Sequence, residues 1–316
     1  MKSAAPLATL SSKDFLSVPD LSHADLERLL DLAAAMKKER AAGRSGRRPL
    51  DGKHVALLFE KPSLRTRVTF VVAVHELGGY VIEPPPDVVF GGREAVEDVA
   101  RNLERWIEGV IVRTFAHSGL EAFAAAAPRL HVVNALTNEE HPCQAVADLF
   151  TLKERLGSLV GRTIAYIGDG NNVATSLTQA AVMLGMNVRL GSPKGFALKD
   201  DVIDASRRVA VHGAAISQTS DPFAAVKDAD AVYTDVWTSM GMEKELAKRG
   251  RVFPGYQVNE KLMAAAGPDT FFMHCLPAHR GAEVTDEVMD APTSLVFEQA
   301  ENRLHTQKAL LTLLMG

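Results

Sequence analysis

The chain has 316 residues, 47% hydrophobic and 23% charged, enough for two cores of ordinary size. A formal net charge of -4 argues against general affinity for nucleic acid, and no segment approaches the length of a membrane span. Two cysteines, Cys143 and Cys275, supply neither a disulfide framework nor a zinc spacing. Ala4 to Leu10 is apolar but short, with Lys2 the one basic residue before it, so no signal peptide is read there and a soluble, cytoplasmic chain is expected.

In chain order, residues 1–14 read as a mobile arm. Ser22 caps an amphipathic helix with Leu26, Leu29, Leu30 and Ala33 on one face. Gly43 to Pro49 is a basic loop, and Val55 to Phe59 an apolar strand. The turn Glu60-Lys61-Pro62-Ser63-Leu64-Arg65-Thr66 leads into a helix expected from about Arg67 to Leu77. Tyr80 to Ile82 is a short strand. The Pro84–Glu94 loop follows, readable as a cover over a site or as plain surface. A helix from Val96 to Trp106 precedes the strand Val110 to Val112, which ends on Arg113. The strand His131 to Ala135 leads into His141-Pro142-Cys143-Gln144, where Pro142 suits the first turn of a helix running to about Leu156.

Gly157 and Gly161 read as the hinge to a second half. There the strands are Thr163 to Ile167, Asn187 to Leu190, Ala215 to Gln218, Ala231 to Thr234, Phe271 to His274 and Leu295 to Phe297. Helices are read after Asn172 and over Lys199 to His212, with a closing helix from Glu301 to Met315. This alternation predicts an α/β protein of two doubly wound domains with parallel sheets and an active site in the inter-domain cleft. The first domain is expected over residues 1–147, with the closing helix (about 301–316) packing back on it, and the second over 148–300.

In such sheets ligands bind beyond the carboxyl ends of the strands. Arg65, Arg113 and His141 fall at such ends in the first half, and Asn172, Asp235 and Cys275 in the second. Ser63-Leu64-Arg65-Thr66 combines hydroxyls, guanidinium donors and a helix start, a combination suited to phosphate. Individually the residues also have ordinary readings: His141 as a packed histidine, Cys275 as a small buried hydrophobe, Asp235 as a helix cap, Arg303 as a surface residue. Gly168-Asp169-Gly170-Asn171-Asn172-Val173 opens like a dinucleotide fingerprint. It lacks the third glycine, and the next strand ends in Leu190-Gly191 with no acidic residue, so nicotinamide binding is not expected.

Together these motifs resemble the transcarbamoylase family over nearly the whole chain. Ser63-Leu64-Arg65-Thr66-Arg67 resembles the family's Ser-Thr-Arg-Thr-Arg carbamoyl phosphate motif, with Leu64 in place of threonine. His141-Pro142-Cys143-Gln144 resembles its His-Pro-x-Gln motif, and Arg113 its second phosphate-binding arginine. Asp235 with Ser239-Met240-Gly241, and His274-Cys275-Leu276-Pro277, are similar to the motifs of the ornithine branch.

The resemblance implies that Ser63, Leu64, Arg65, Thr66, Arg113, His141, Gln144, Cys275, Leu276 and Arg303 bind carbamoyl phosphate. It implies that Asn172, Asp235, Ser239 and Met240 bind L-ornithine, and that Arg113, His141, Asp235, Cys275 and Arg303 carry the catalysis. It implies transfer to the δ-amine without a metal or redox cofactor, ordered binding with domain closure, a homotrimer or multiple of trimers, and a place in arginine metabolism. Other amines considered as acceptors are N-acetylornithine, putrescine and aspartate. A free α-amine calls for a carboxylate such as Asp235 and favours ornithine.

Overall fold

A computed structural model describes residues 9–43, 46–85, 92, 94–238 and 245–316. The chain divides into two compact units, Met1–Val146 with Arg303–Gly316, and Ala147–Asn302.

In the first unit, α1 (His23–Ala41) is capped by Ser22, whose Oγ accepts the Asp25 N–H at 3.1 Å, and its leucines at 26, 29 and 30 are fully buried. β1 (His54–Phe59) is buried over its last five residues. Apolar side chains on both faces of a strand are what a parallel sheet covered on both sides requires. After α2 (Leu64–Glu76) come β2 (Tyr80–Ile82), α3 (Val96–Leu103), β3 (Gly109–Arg113), α4 (His117–Ala126), β4 (His131–Leu136) and the start of α5 (Pro142–Leu156). The sheet is parallel throughout in the order β2-β1-β3-β4. One core cluster packs Ala56, Leu58, Val110, Val112 and Val132 of these strands against Val99 and Ala100 of α3 and Leu120 and Phe123 of α4.

The second unit begins within α5 and holds β5 (Thr163–Ile167), α6 (Asn172–Met183), β6 (Asn187–Gly191), α7 (Asp200–Arg208), β7 (Ile216–Thr219), α8 (Pro222–Val226) and β8 (Ala231–Thr234). α9 (Leu246–Val252), α10 (Glu260–Ala266), β9 (Phe271–His274), α11 (Asp286–Met289) and α12 (Val296–Met315) follow, the last returning to the first unit at Arg303. Its parallel sheet runs β7-β6-β5-β8-β9. The two parallel-sheet α/β domains read from the sequence are therefore present. In each sheet the strand order reverses once, between β1 and β3 and between β5 and β8. That reversal opens a crevice at the carboxyl ends of the flanking strands.

Four readings need correction. Of the arm expected over residues 1–14, the described part is anchored: Leu10 is buried and donates its N–H to Leu313 O, and Asp14 Oδ1 accepts the Val132 N–H at 2.8 Å. The helix expected from Arg67 begins at Leu64, because Ser63 sits extended at φ -159° and its Oγ accepts the Thr66 N–H at 3.3 Å. Leu295 to Phe297 is not a strand. Leu295 donates its N–H to Phe272 O, and α12 starts at Val296, five residues before the expected closing helix. The short helices α4, α8, α9, α10 and α11 also have no counterpart in the sequence reading. Among the described residues no helix is long and apolar enough to cross a membrane. In the Pro84–Glu94 loop, residues 86–91 and 93 lie outside the described residues.

Candidate active site

In the first unit, the turn after β1 delivers Ser63 as the cap of α2 and Leu64, Arg65 and Thr66 as its first turn. The first-turn N–H groups and the positive end of the helix dipole thus point where the sequence motif is read. Leu64 is 75% exposed, so its backbone N–H and not its side chain is what it offers an anion. Arg113 closes β3, where the pairing with β4 slips by one residue between Val112 and Arg113. A slip of this kind re-aims the following side chain, and Arg113 is buried.

Arg303, on α12, is 2% exposed and not a surface residue. Its Nη1 donates to Gln144 Oε1 at 2.5 Å and its Nη2 to Thr66 Oγ1 at 3.1 Å. It therefore ties the first turn of α2 to the first turn of α5. Ahead of α5, the His141 carbonyl accepts the N–H groups of Gln144 and Ala145. Burial holds the His141 imidazole well below its usual pKa, and Arg303, Arg113, Arg65 and Lys61 push it in the same direction. The ring is therefore neutral at pH 7 and has one N–H to donate.

Lys61 lies inside the Glu60–Thr66 turn, but no sequence motif assigns it a role. It is 4% exposed, donates to Asn138 Oδ1 at 2.6 Å and stands 4.2 Å from the centroid of the Phe115 ring. Among the described residues no carboxylate lies within ion-pair distance of it. Burial, then Arg113, brings its pKa down to about 8. Lys61, Arg65, Arg113 and Arg303 all act on His141, a concentration of positive charge that suits a dianion.

In the second unit, the loop after β5 runs Gly168-Asp169-Gly170-Asn171. Its glycines have local reasons. Gly168 adopts φ +139°, and a Cβ on Gly170 would fall 2.5 Å from Leu198 N. A close approach to residues 196–198, not to a cofactor, accounts for the fingerprint-like start. Asp169 pairs with Arg249 at 2.5 Å, both buried, and Arg249 also holds Trp237 O and Glu245.

Asn172 is the first residue of α6, but Asn171, its cap, reaches the site. Asn171 Oδ1 accepts from Val173 N–H, Ala174 N–H and the Tyr166 hydroxyl, while its Nδ2 donates to Asp235 Oδ2 at 2.8 Å. An Asn before an apolar helical run is a cap signal, and that signal could have found it.

Asp235 follows β8 and is 6% exposed; its Oδ1 accepts the Cys275 thiol at 3.1 Å. Burial pushes the Cys275 thiol well above its usual range and the Asp235 charge adds to this, so the sulfur is a protonated donor. That state does not suit a cysteine nucleophile. Leu276 has a left-handed backbone, φ +59°, and its N–H donates to His274 Nδ1 at 2.8 Å. With Nδ1 accepting, Nε2 is left to face buried Glu283 Oε1, 3.4 Å away. Burial alone would raise the Glu283 carboxyl, but the His274 ring beside it and the His279 N–H hold it below its usual value. Asp235, His274 and Cys275 present three ligand-type atoms within 4.8 Å of one another. Each is engaged in these hydrogen bonds. Ser239 and Met240 lie outside the described residues.

Residues 13–154 match the family described as aspartate/ornithine carbamoyltransferase, carbamoyl-P binding domain, and residues 160–314 match its Asp/Orn binding domain. The chain is 48% identical over 310 residues to the ornithine carbamoyltransferase of Thermosynechococcus vestitus, covering 98% of each chain. It is 45% identical over 312 residues to that of Thermococcus kodakarensis, again with 98% of each covered. Its fold is similar to the solved ornithine carbamoyltransferase from Pyrococcus furiosus, with TM-score 0.93, 42% identity and 99% of each chain covered. The Thermus thermophilus enzyme of the same name gives TM-score 0.86 at 45% identity, covering 96% of this chain and 99% of that one.

Proposed function

We propose that this chain, which belongs to the aspartate/ornithine carbamoyltransferase family, moves the carbamoyl group of carbamoyl phosphate to the δ-amine of L-ornithine, giving L-citrulline and phosphate. The observation that carries this reading is Arg303 joined to both Thr66 and Gln144 beside a neutral His141 and Arg113. A buried group of donors and cations of this kind suits an acyl phosphate, which has a dianionic end and a carbonyl oxygen that gains charge on attack.

In this reading Ser63, Arg65, Thr66 and the N–H groups at the start of α2, Leu64 included, hold the phosphate. Arg113, neutral His141 and Arg303 donate to the carbonyl oxygen, and Gln144 orients the carbamoyl NH₂. Asn172, Asp235, Ser239 and Met240 hold the amino acid, and Cys275 and Leu276 line the place of attack. The δ-amine attacks as the neutral base, because an ammonium has no lone pair. Its nitrogen bonds to the carbonyl carbon, the carbon–oxygen bond to phosphate breaks, and the nitrogen sheds one proton, for which Asp235 is the nearest base to Cys275. Bringing the two substrates into attack geometry supplies much of the acceleration.

The family resemblance also supports a homotrimer, a cytoplasmic location and a place in arginine biosynthesis. Sedimentation of the purified chain as a monomer would refute the trimer. The reaction is tested by incubating the protein with carbamoyl phosphate and L-ornithine and measuring citrulline and phosphate in equal amounts. No citrulline rejects the proposal.

A further inference from the structure

Asp148 stands on α5 one turn beyond Gln144 and is fully buried within the second unit. Its Oδ2 accepts the Tyr233 hydroxyl at 2.9 Å and its Oδ1 accepts Gln299 Nε2 at 2.8 Å. The Gln299 amide is used at both ends, since its Oε1 accepts the His274 N–H at 3.0 Å. Tyr233 is fully buried on β8 two residues before Asp235, and its hydroxyl is among the groups that act on the Cys275 thiol. A carboxylate removed from water at this depth is costly unless its oxygens are satisfied, and here the satisfying groups lead to two consecutive residues, His274 and Cys275.

We propose that Asp148 is a positioning residue for the Cys275 end of the site, setting the thiol through Tyr233 and the backbone at His274 through Gln299. This rests on the carbamoyltransferase reading for its functional meaning, but the arrangement can be tested without turnover. The Tyr233 hydroxyl has one proton, and Asp148 holds it at 2.9 Å. Asp148 competes with Cys275 sulfur for it, so the support it gives a thiolate is partial. The thiol stays neutral and directed at Asp235 Oδ1. The groups facing Cys275 are Asp235 and Tyr233 beside β8, Asp148 on α5, Tyr166 on β5 and His274 next to it in the chain. The Asp235 and Asp148 charges both disfavour a thiolate, and the Tyr233 hydroxyl favours one.

Two substitutions therefore act in opposite directions. Asp148→Asn removes one of the negative charges and releases the tyrosine proton toward sulfur. Tyr233→Phe removes the one hydroxyl able to stabilise a thiolate. The test is the rate of Cys275 alkylation by iodoacetamide between pH 7 and 10 in the full-length protein, read by peptide mass mapping. Cys143 serves as the internal reference, since burial pushes its thiol up to about 12. Asp148→Asn is expected to speed Cys275 alkylation at a given pH by about threefold or more, and Tyr233→Phe to slow it by a similar factor, equivalent to half a pKa unit each.

Loosened packing alone would speed alkylation in both variants. A change of the same sign in both, or no change in either, overturns the proposal. Should Asp148→Asn fail to fold, Tyr233→Phe, which loses a single oxygen, decides the matter: slower alkylation supports the assignment, and an equal or faster rate overturns it. If the wild type makes no citrulline, the functional reading fails while the alkylation comparison still stands or falls by itself. If it does turn over, both variants are expected to lower kcat with the KM for carbamoyl phosphate unchanged. A raised carbamoyl phosphate KM with kcat preserved contradicts a role at Cys275.

Discussion

Arg303 Nη1 donates to Gln144 Oε1 at 2.5 Å, joining two side chains 159 positions apart in the sequence, both buried. The same guanidinium reaches Thr66 Oγ1. One side chain thus holds the anion-facing turn of α2 to the start of α5. Replacing it with Met removes a donor to the developing oxyanion and strands two buried acceptors. We expect kcat to fall about 10²–10³-fold. Stability should fall by about 1–3 kcal/mol. Steady-state kinetics with urea unfolding of the same preparation checks both; a drop in stability without a drop in kcat would remove Arg303 from catalysis.

Leu64 is where this chain leaves the family motif. Its side chain is exposed on the first turn of α2, and its N–H is present whatever the side chain. Leu64→Thr adds one hydroxyl beside the phosphate-binding turn. The KM for carbamoyl phosphate should drop about fivefold, the worth of one ordinary hydrogen bond of about 1 kcal/mol. Stability should stay within about 0.5 kcal/mol. An unchanged KM would show that the position does not touch the phosphate.

Lys61 gives the donor site a pH dependence of its own. Its native pKa, about 8, lies below the value near 10.4 of an unfolded lysine. As pH rises from 7 to 9 it loses its proton in the native state and the cationic group around His141 loses one charge. Affinity for inorganic phosphate should therefore fall over that range, and Lys61→Met should flatten the dependence. The stability sign is the reverse: between about pH 8 and 10 the unfolded chain binds the extra proton, so this group's contribution to stability rises with pH. Calorimetric phosphate titrations at pH 7 and 9 would contradict the account if wild type and variant changed alike.

His141 acts at the acid end. Its native pKa is depressed, so its contribution to stability is fully present above about pH 6.5, the unfolded value, and is lost as pH falls below it. Melting temperatures at pH 7.5 and 5.5 should fall further in wild type than in His141→Asn. Equal losses would mean that the imidazole is not held neutral.

The pair Asp169–Arg249 is buried, and Arg249 also holds Trp237 O and Glu245. Arg249→Met leaves Asp169 buried without its partner, which should cost about 3–5 kcal/mol of stability, read as a lowered urea midpoint. A loss below about 1 kcal/mol would show that the carboxylate escapes to water.

The strands were legible because buried parallel strands are continuous apolar runs, and Thr163 to Ile167, Ala231 to Thr234 and Phe271 to His274 were read to the residue. Helix boundaries were less so. Leu64 begins α2 because Ser63 caps it, a hydrogen bond that hydrophobic periodicity does not report. Val296 and Phe297 are β-prone by type yet start α12, whose conformation is set by what it packs against. Arg303 could be read as a surface residue because its neighbours Gln299, Asn302, His305, Thr306, Gln307 and Lys308 are polar. All of these are buried, and only the fold reveals it. Asn171 is given no role by the motifs read from the sequence, and its place as the cap that reaches Asp235 shows only in the geometry.

The central claim is tested most directly by offering carbamoyl phosphate with L-ornithine, N-acetylornithine, putrescine or aspartate, and measuring kcat/KM for the ureido product of each. L-ornithine should be preferred by at least about 100-fold, the discrimination expected when an acceptor leaves buried polar groups such as Asp235 unmatched. Comparable turnover of another amine, or none with ornithine, would contradict the account.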